Sequence, residues 1–158
     1  LIITVTRAPL IIPLMALQSF LILEFRTAGA ASSRRLVQYL LGVAGITVVA
    51  SLAAFAWGPW LANFISAGRY QVDPLTAALV VASAGLVGLM CLTGPALLSR
   101  NRHKLYASGW VAAALATIAL LFVPIHPEQR TLLALIIAPC LGLIVHATGM
   151  RRRVIAYD

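Results

Sequence analysis

Apolar runs of about twenty residues alternate with short polar punctuation along the whole chain. They resolve into five stretches, 4–23, 36–65, 75–98, 105–125 and 131–149. A helix needs about 20 apolar residues to cross a hydrocarbon layer about 30 Å thick, so each stretch predicts a membrane-crossing helix. The second has roughly ten residues in excess, which tilt or extension into the interface would absorb. Trp57 and Trp60 flank Pro59 at one of its ends, and Tyr39 sits near the other. Tyr106 and Trp110 mark one end of the fourth stretch in the same way, as aromatic residues do at membrane interfaces.

The punctuation is brief. Thr27–Arg35 is a Ser-containing, small-residue connection, Gly68–Pro74 a turn ending in Asp73-Pro74, Arg100–Lys104 a tight basic turn, and Pro124–Arg130 a connection broken by two prolines. None is long enough to hold a soluble domain. The pattern therefore predicts an all-α integral membrane protein, a single membrane domain over 1–158 built as a bundle of five transmembrane helices.

Charge orients the bundle. Of the 12 Lys and Arg residues, Arg26, Arg34, Arg35, Arg100, Arg102, Lys104, Arg151, Arg152 and Arg153 fall on one side of the alternation, leaving Arg7, Arg69 and Arg130 on or near the other. The positive-inside bias puts the nine on the cytoplasmic side, with the N-terminal end of the first helix outside and the C-terminus cytoplasmic. The expected location is the cytoplasmic membrane, in multi-pass form.

Composition narrows the function class. The chain is 61% hydrophobic and 10% charged, with mean hydropathy +0.97, far from the ~25% charged residues of a soluble domain. A net charge of +8 raises nucleic acid as a partner. The positives, however, flank apolar runs instead of covering a soluble face, so no nucleic-acid binding is expected and the lipid bilayer is the first partner. Cys91 and Cys140 lie inside apolar runs without CxxC or Cys/His spacing, which reads as small core residues and predicts neither a disulfide nor a metal site. The opening Leu, without a basic n-region or a small-residue cleavage site, reads as a fragment starting in a membrane helix and not as a signal peptide.

The runs are rich in small residues: Gly42 and Gly45, then Ala78, Ala82, Gly85 and Gly88, then Gly109, Ala112, Ala113, Ala116 and Ala119. Small residues let helix backbones approach closely in lipid. Tight packing is one reading. The other is sliding or bending of helices, with Pro9, Pro13, Pro59, Pro95 and Pro139 as places to bend.

Enzyme signatures are absent: there is no paired carboxylate in a run, no GxSxG, no HExxH and no P-loop, so neither catalytic residues nor a cofactor are expected. His103 and His126 fall in polar connections and read as solvated. His146 lies near the end of the last run and is either an interfacial helix cap or a proton relay. Arg7 is the one charge well inside an apolar run. A guanidinium there costs a few kcal/mol, so it either snorkels to headgroups or lines a cavity where its planar fork binds an anionic group.

Thr4-Val5-Thr6-Arg7-Ala8-Pro9-Leu10, followed by Pro13-Leu14 and Gln18, resembles the Arg-Ala-Pro segment of actinobacterial polysaccharide-biosynthesis membrane proteins. These are Wzx-like flippases of the multidrug/oligosaccharidyl-lipid/polysaccharide exporter superfamily. Phe64 to Pro74 is similar to the same family, as is Thr93-Gly94-Pro95 leading through Arg102-His103 to Tyr106 and Gly109-Trp110, so the likeness covers nearly the whole chain. The resemblance implies part of one lobe of a two-lobed, MATE-like transporter: helices two to six of the C-terminal lobe, with an N-terminal lobe as partner. The implied activity is movement of lipid-linked oligosaccharide units across the membrane by alternating access, with Arg7 binding the sugar-linked diphosphate. No carboxylate lies mid-run, which departs from the drug-exporting branch. A small non-transporting assembly or anchoring subunit is the alternative that composition also fits. A membrane-embedded transferase would need acidic or histidine clusters at a face, and the sequence has none.

Overall fold

The computed structural model describes residues 17–29, 32–69 and 71–151. It is all-helical over these residues. Helix α1 occupies 17–27, followed by α2 (Ser32–Ile65), α3 (Pro74–Leu98), α4 (His103–Leu121) and α5 (Pro127–Arg151). The last four are long and apolar enough to cross a membrane. The first predicted stretch, 4–23, lies largely outside the described residues, and its helix continues past position 23 to 27.

Local chemistry sets the boundaries, and several differ from the hydropathy reading. Arg34 and Arg35 belong to the first turn of α2 and not to a loop, and Arg35 forms an ion pair there with Glu24 of α1. At 34 residues, α2 is about 51 Å long at 1.5 Å per residue, well beyond the hydrocarbon thickness. It is stopped by Ala67 and Gly68 at φ +50° and +81°, with the Gly68 amide donating to the Asn63 carbonyl at 2.9 Å. Pro74 is the first residue of α3, and Asp73 caps it by accepting from the Leu75 and Thr76 amides at 2.9 and 3.2 Å. Helix α4 ends at Leu121, before the predicted 125, and α5 starts earlier than predicted, at Pro127. Arg130 is thereby helical, with Glu128 in the first turn facing the favourable end of the helix dipole.

Helices α3 and α5 occupy the centre, with α2 packed on α3 and α4 on α5. The outer pairs are antiparallel and meet through small residues. Gly85 of α3 sits against Thr47 of α2, Gly58 of α2 against Ala77 of α3, and Gly109 of α4 against Gly142 of α5. The central pair is parallel and in constant register. Thr76 meets Glu128, Met90 meets Gly142, Thr93 meets His146 and Leu97 meets Gly149, each pair 52 or 53 residues apart in sequence.

The two ends of the bundle differ. At the basic end, where the α1–α2 and α3–α4 turns lie, every residue of α3 from Met90 to Leu97 is buried. There Leu21 and Phe25 of α1 close on Leu36, Leu92 and Ala96, with Leu40, Val43 and Met150 around them. Toward the other end the helices are less enclosed, and α2 leaves Val48, Val49, Leu52, Phe55, Trp57 and Trp60 exposed along its length. Trp60 and Phe64 stack there with ring centroids 5.6 Å apart.

Candidate functional site

The basic half contains the one fully buried histidine among the described residues. His146 has no exposed surface and sits where α3, α4 and α5 meet. Small residues make room for it. A Cβ on Gly109 would overlap the imidazole and lie 3.2 Å from the Gly142 carbonyl oxygen, and one on Gly142 would lie 2.8 Å from Met90 Sδ. Gly142, His146 and Gly149 are spaced at i, i+4 and i+7, so one face of α5 presents glycine on either side of the ring.

Both ring nitrogens are engaged. Nδ1 lies 2.8 Å from Thr93 Oγ1, and Nε2 lies 3.3 Å from the Tyr106 carbonyl oxygen. A carbonyl can only accept, so Nε2 carries the hydrogen, and in the neutral ring Nδ1 accepts from the Thr93 hydroxyl. Thr93 Oγ1 also lies 3.1 Å from the Leu89 carbonyl and 3.2 Å from that of Met90, giving its hydrogen an alternative acceptor within α3. The Tyr106 ring runs nearly parallel to the imidazole, 18° between planes and 6.3 Å between centroids. Tyr106 in turn packs on Gly94, whose absent Cβ would lie 2.9 Å from Cε2. One turn further along α5, the Arg102 guanidinium donates to the Gly149 carbonyl, tying the α3–α4 turn to the end of α5.

Both ring nitrogens of His146 and the hydroxyl of Thr93 are hydrogen-bonded within the junction. It ties three membrane helices to one another. Such a buried network is costly to leave half-satisfied, which makes it a specific latch between these helices.

The predicted site residues are placed as follows. Arg7 lies outside the described residues. His146 lies within α5 and does not cap a helix end; with glycine at 109 and 142, α4 covers it completely. His103 and His126 are exposed, and the two cysteines are free, Cys91 buried and Cys140 partly so. Arg102, in the tight basic turn, donates to a backbone carbonyl. Hydropathy could not find the pairing of Thr93 with His146, which spans 53 residues. The signal present in the sequence was the glycine four residues before His146 and the one three after it.

The chain is 37% identical over 151 residues, 96% of its length, to the uncharacterized protein Rv1510 of Mycobacterium tuberculosis. It is 34% identical over 150 residues, 95% of its length, to the uncharacterized protein Mb3654 of Mycobacterium bovis. In both cases the aligned part is 35% of the relative, so the chain spans about a third of the length of the curated relatives it matches. No protein-family model and no solved structure matches it.

Proposed function

We propose that the chain is part of the C-terminal lobe of a MATE-like flippase. In this reading it helps move lipid-linked oligosaccharide or polysaccharide precursors across the cytoplasmic membrane by alternating access, with its C-terminus cytoplasmic. The observation that carries the reading is the convergence of the segments on which the family resemblance rests. Thr93 and Gly94 of α3 and Tyr106 and Gly109 of α4 meet around His146 in one packed junction. Residues that serve only as interchangeable lipid-facing filler have no reason to converge in this way.

Two further features support it. The matched relatives are nearly three times as long as the aligned region, which leaves room for another lobe. The apolar surface along α2 is where more of a larger bundle would pack. Within this reading Arg7 binds the substrate diphosphate through its planar fork. The test is complementation of a flippase-deficient strain by the full-length protein. Restored surface glycan supports the proposal, and accumulation of precursor on the cytoplasmic face at normal expression refutes it.

A further inference from the structure

The backbone contact at Gly109 and Gly142 pins α4 to α5 near the basic end, and beyond it the two helices line an open groove of about 420 Å³ backed by Met90 of α3. Its walls are mostly apolar: Ala114 and Leu121 on α4 and Ala138 on α5, with Trp110 at its basic end. The hydroxyls of Thr117 and Thr131, which also line it, donate to their own helix carbonyls at Ala113 and Pro127, 2.9 and 2.8 Å away. The Trp110 indole nitrogen is buried and has no hydrogen-bond partner.

The shape selects the occupant. From Trp110 to Leu121 the groove follows α4 for roughly 16 Å at 1.5 Å per residue, and it is roughly 8 to 9 Å wide. A helix with its side chains needs about 10 Å or more, whereas one hydrocarbon chain fits. Scaling from the ~150 Å³ cavity that holds benzene, the space takes on the order of 16 carbons. The groove is open at the surface of helices long and apolar enough to cross a membrane, where the medium that fills it is hydrocarbon.

Charge selects the headgroup. His103 and Lys104 are exposed in the first turn of α4, about 10 Å before Trp110, and Ala107 between them is exposed as well. His103, Ala107, Trp110 and Ala114 share one face of the helix. We infer that this face and the groove hold one acyl chain of an anionic glycerophospholipid from the leaflet at the basic end. Its phosphate sits at Lys104 and His103, and its acyl chain runs past Trp110 into the groove. The inference does not depend on the transport reading, so the two fail separately.

Trp57 and Trp60 are the other two of the chain's 3 tryptophans, so Trp57→Phe with Trp60→Phe leaves Trp110 as the single fluorophore. The full chain carrying these changes is placed in nanodiscs of unlabelled phosphatidylcholine and titrated with lipid brominated on its acyl chains. Brominated phosphatidylglycerol should half-quench Trp110 at about fivefold lower mole fraction than brominated phosphatidylcholine, the enrichment one interfacial lysine brings. Lys104→Glu should remove that preference, and Ala114→Phe, which fills the groove from an exposed wall position, should remove quenching by both. Equal quenching by the two lipids overturns the assignment. So does undiminished quenching in a monodisperse Ala114→Phe protein, and so does absence of quenching by either lipid. If Ala114→Phe does not fold, the Lys104→Glu comparison decides alone.

Discussion

The imidazole of His146 and the hydroxyl of Thr93 lie 2.8 Å apart, although 53 residues separate them in sequence. The bond crosses between the two central, parallel helices, and the same histidine reaches the Tyr106 carbonyl of a third. His146→Ala removes both bonds and leaves a void among Gly109, Gly142 and Met90. It should destabilise the bundle by about 3 kcal/mol in thermal unfolding in nanodiscs. Thr93→Val, which removes one partner at similar volume, should cost about 1 kcal/mol. Alanine at exposed His103 or His126 should stay within about 0.5 kcal/mol of wild type. An unchanged melting temperature for His146→Ala would remove the latch from the account.

Glycines in the same bundle should respond oppositely to a methyl group. At Gly109 an added Cβ overlaps the His146 ring, while at Gly42 and Gly45 it meets nothing within 4 Å. Gly109→Ala should lower stability by about 2 kcal/mol. Gly42→Ala and Gly45→Ala should be neutral or raise it by up to about 1 kcal/mol through the lower helix cost of alanine. The comparison is read from the same unfolding curves. Equal effects at the three positions would mean that α4 and α5 are not in contact at Gly109.

Orientation follows from charge counting alone. With Cys91 and Cys140 replaced by alanine, Ser33→Cys at the basic end and Gln71→Cys at the opposite end are compared in intact cells. A membrane-impermeant thiol reagent should label position 71 and spare position 33. The reverse pattern would invert the topology.

Much of the helical framework was legible in the sequence because membrane helices announce themselves by length and hydropathy, and α2 to α5 appear where apolar runs predict them. Their ends were less legible. Arg34, Arg35 and Arg130 read as loop by hydropathy, yet they are helical, with Arg35 in an ion pair with Glu24 and Arg130 in a helix that starts at Pro127. The junction was half legible. Thr93-Gly94, Tyr106 and Gly109 stand out by resemblance, whereas the sequence leaves His146 between an interfacial helix cap and a proton relay because a single helix cannot say which neighbour covers it. Only the parallel register of α3 and α5 brings Thr93 to His146, and no local pattern encodes that register.

Arg7 remains the candidate for recognising the substrate diphosphate. Lysine keeps its charge but loses the planar fork, so Arg7→Lys should retain part of the activity and Arg7→Ala or Arg7→Gln should lose most of it. The readout is surface glycan in the complementation strain, normalised to expression. Wild-type function of Arg7→Ala would mean that this guanidinium only snorkels to headgroups.

The most direct test of the flippase reading is transport itself. The full-length protein is reconstituted into vesicles carrying a fluorescent lipid-linked oligosaccharide in both leaflets, and a glycosidase that cannot cross the bilayer is added outside. With an active flippase the enzyme should clip nearly all of the sugar, because inner-leaflet substrate is continually delivered to it. Cleavage that stops at the outer-leaflet half, in vesicles where the protein is folded and correctly oriented, would contradict the account.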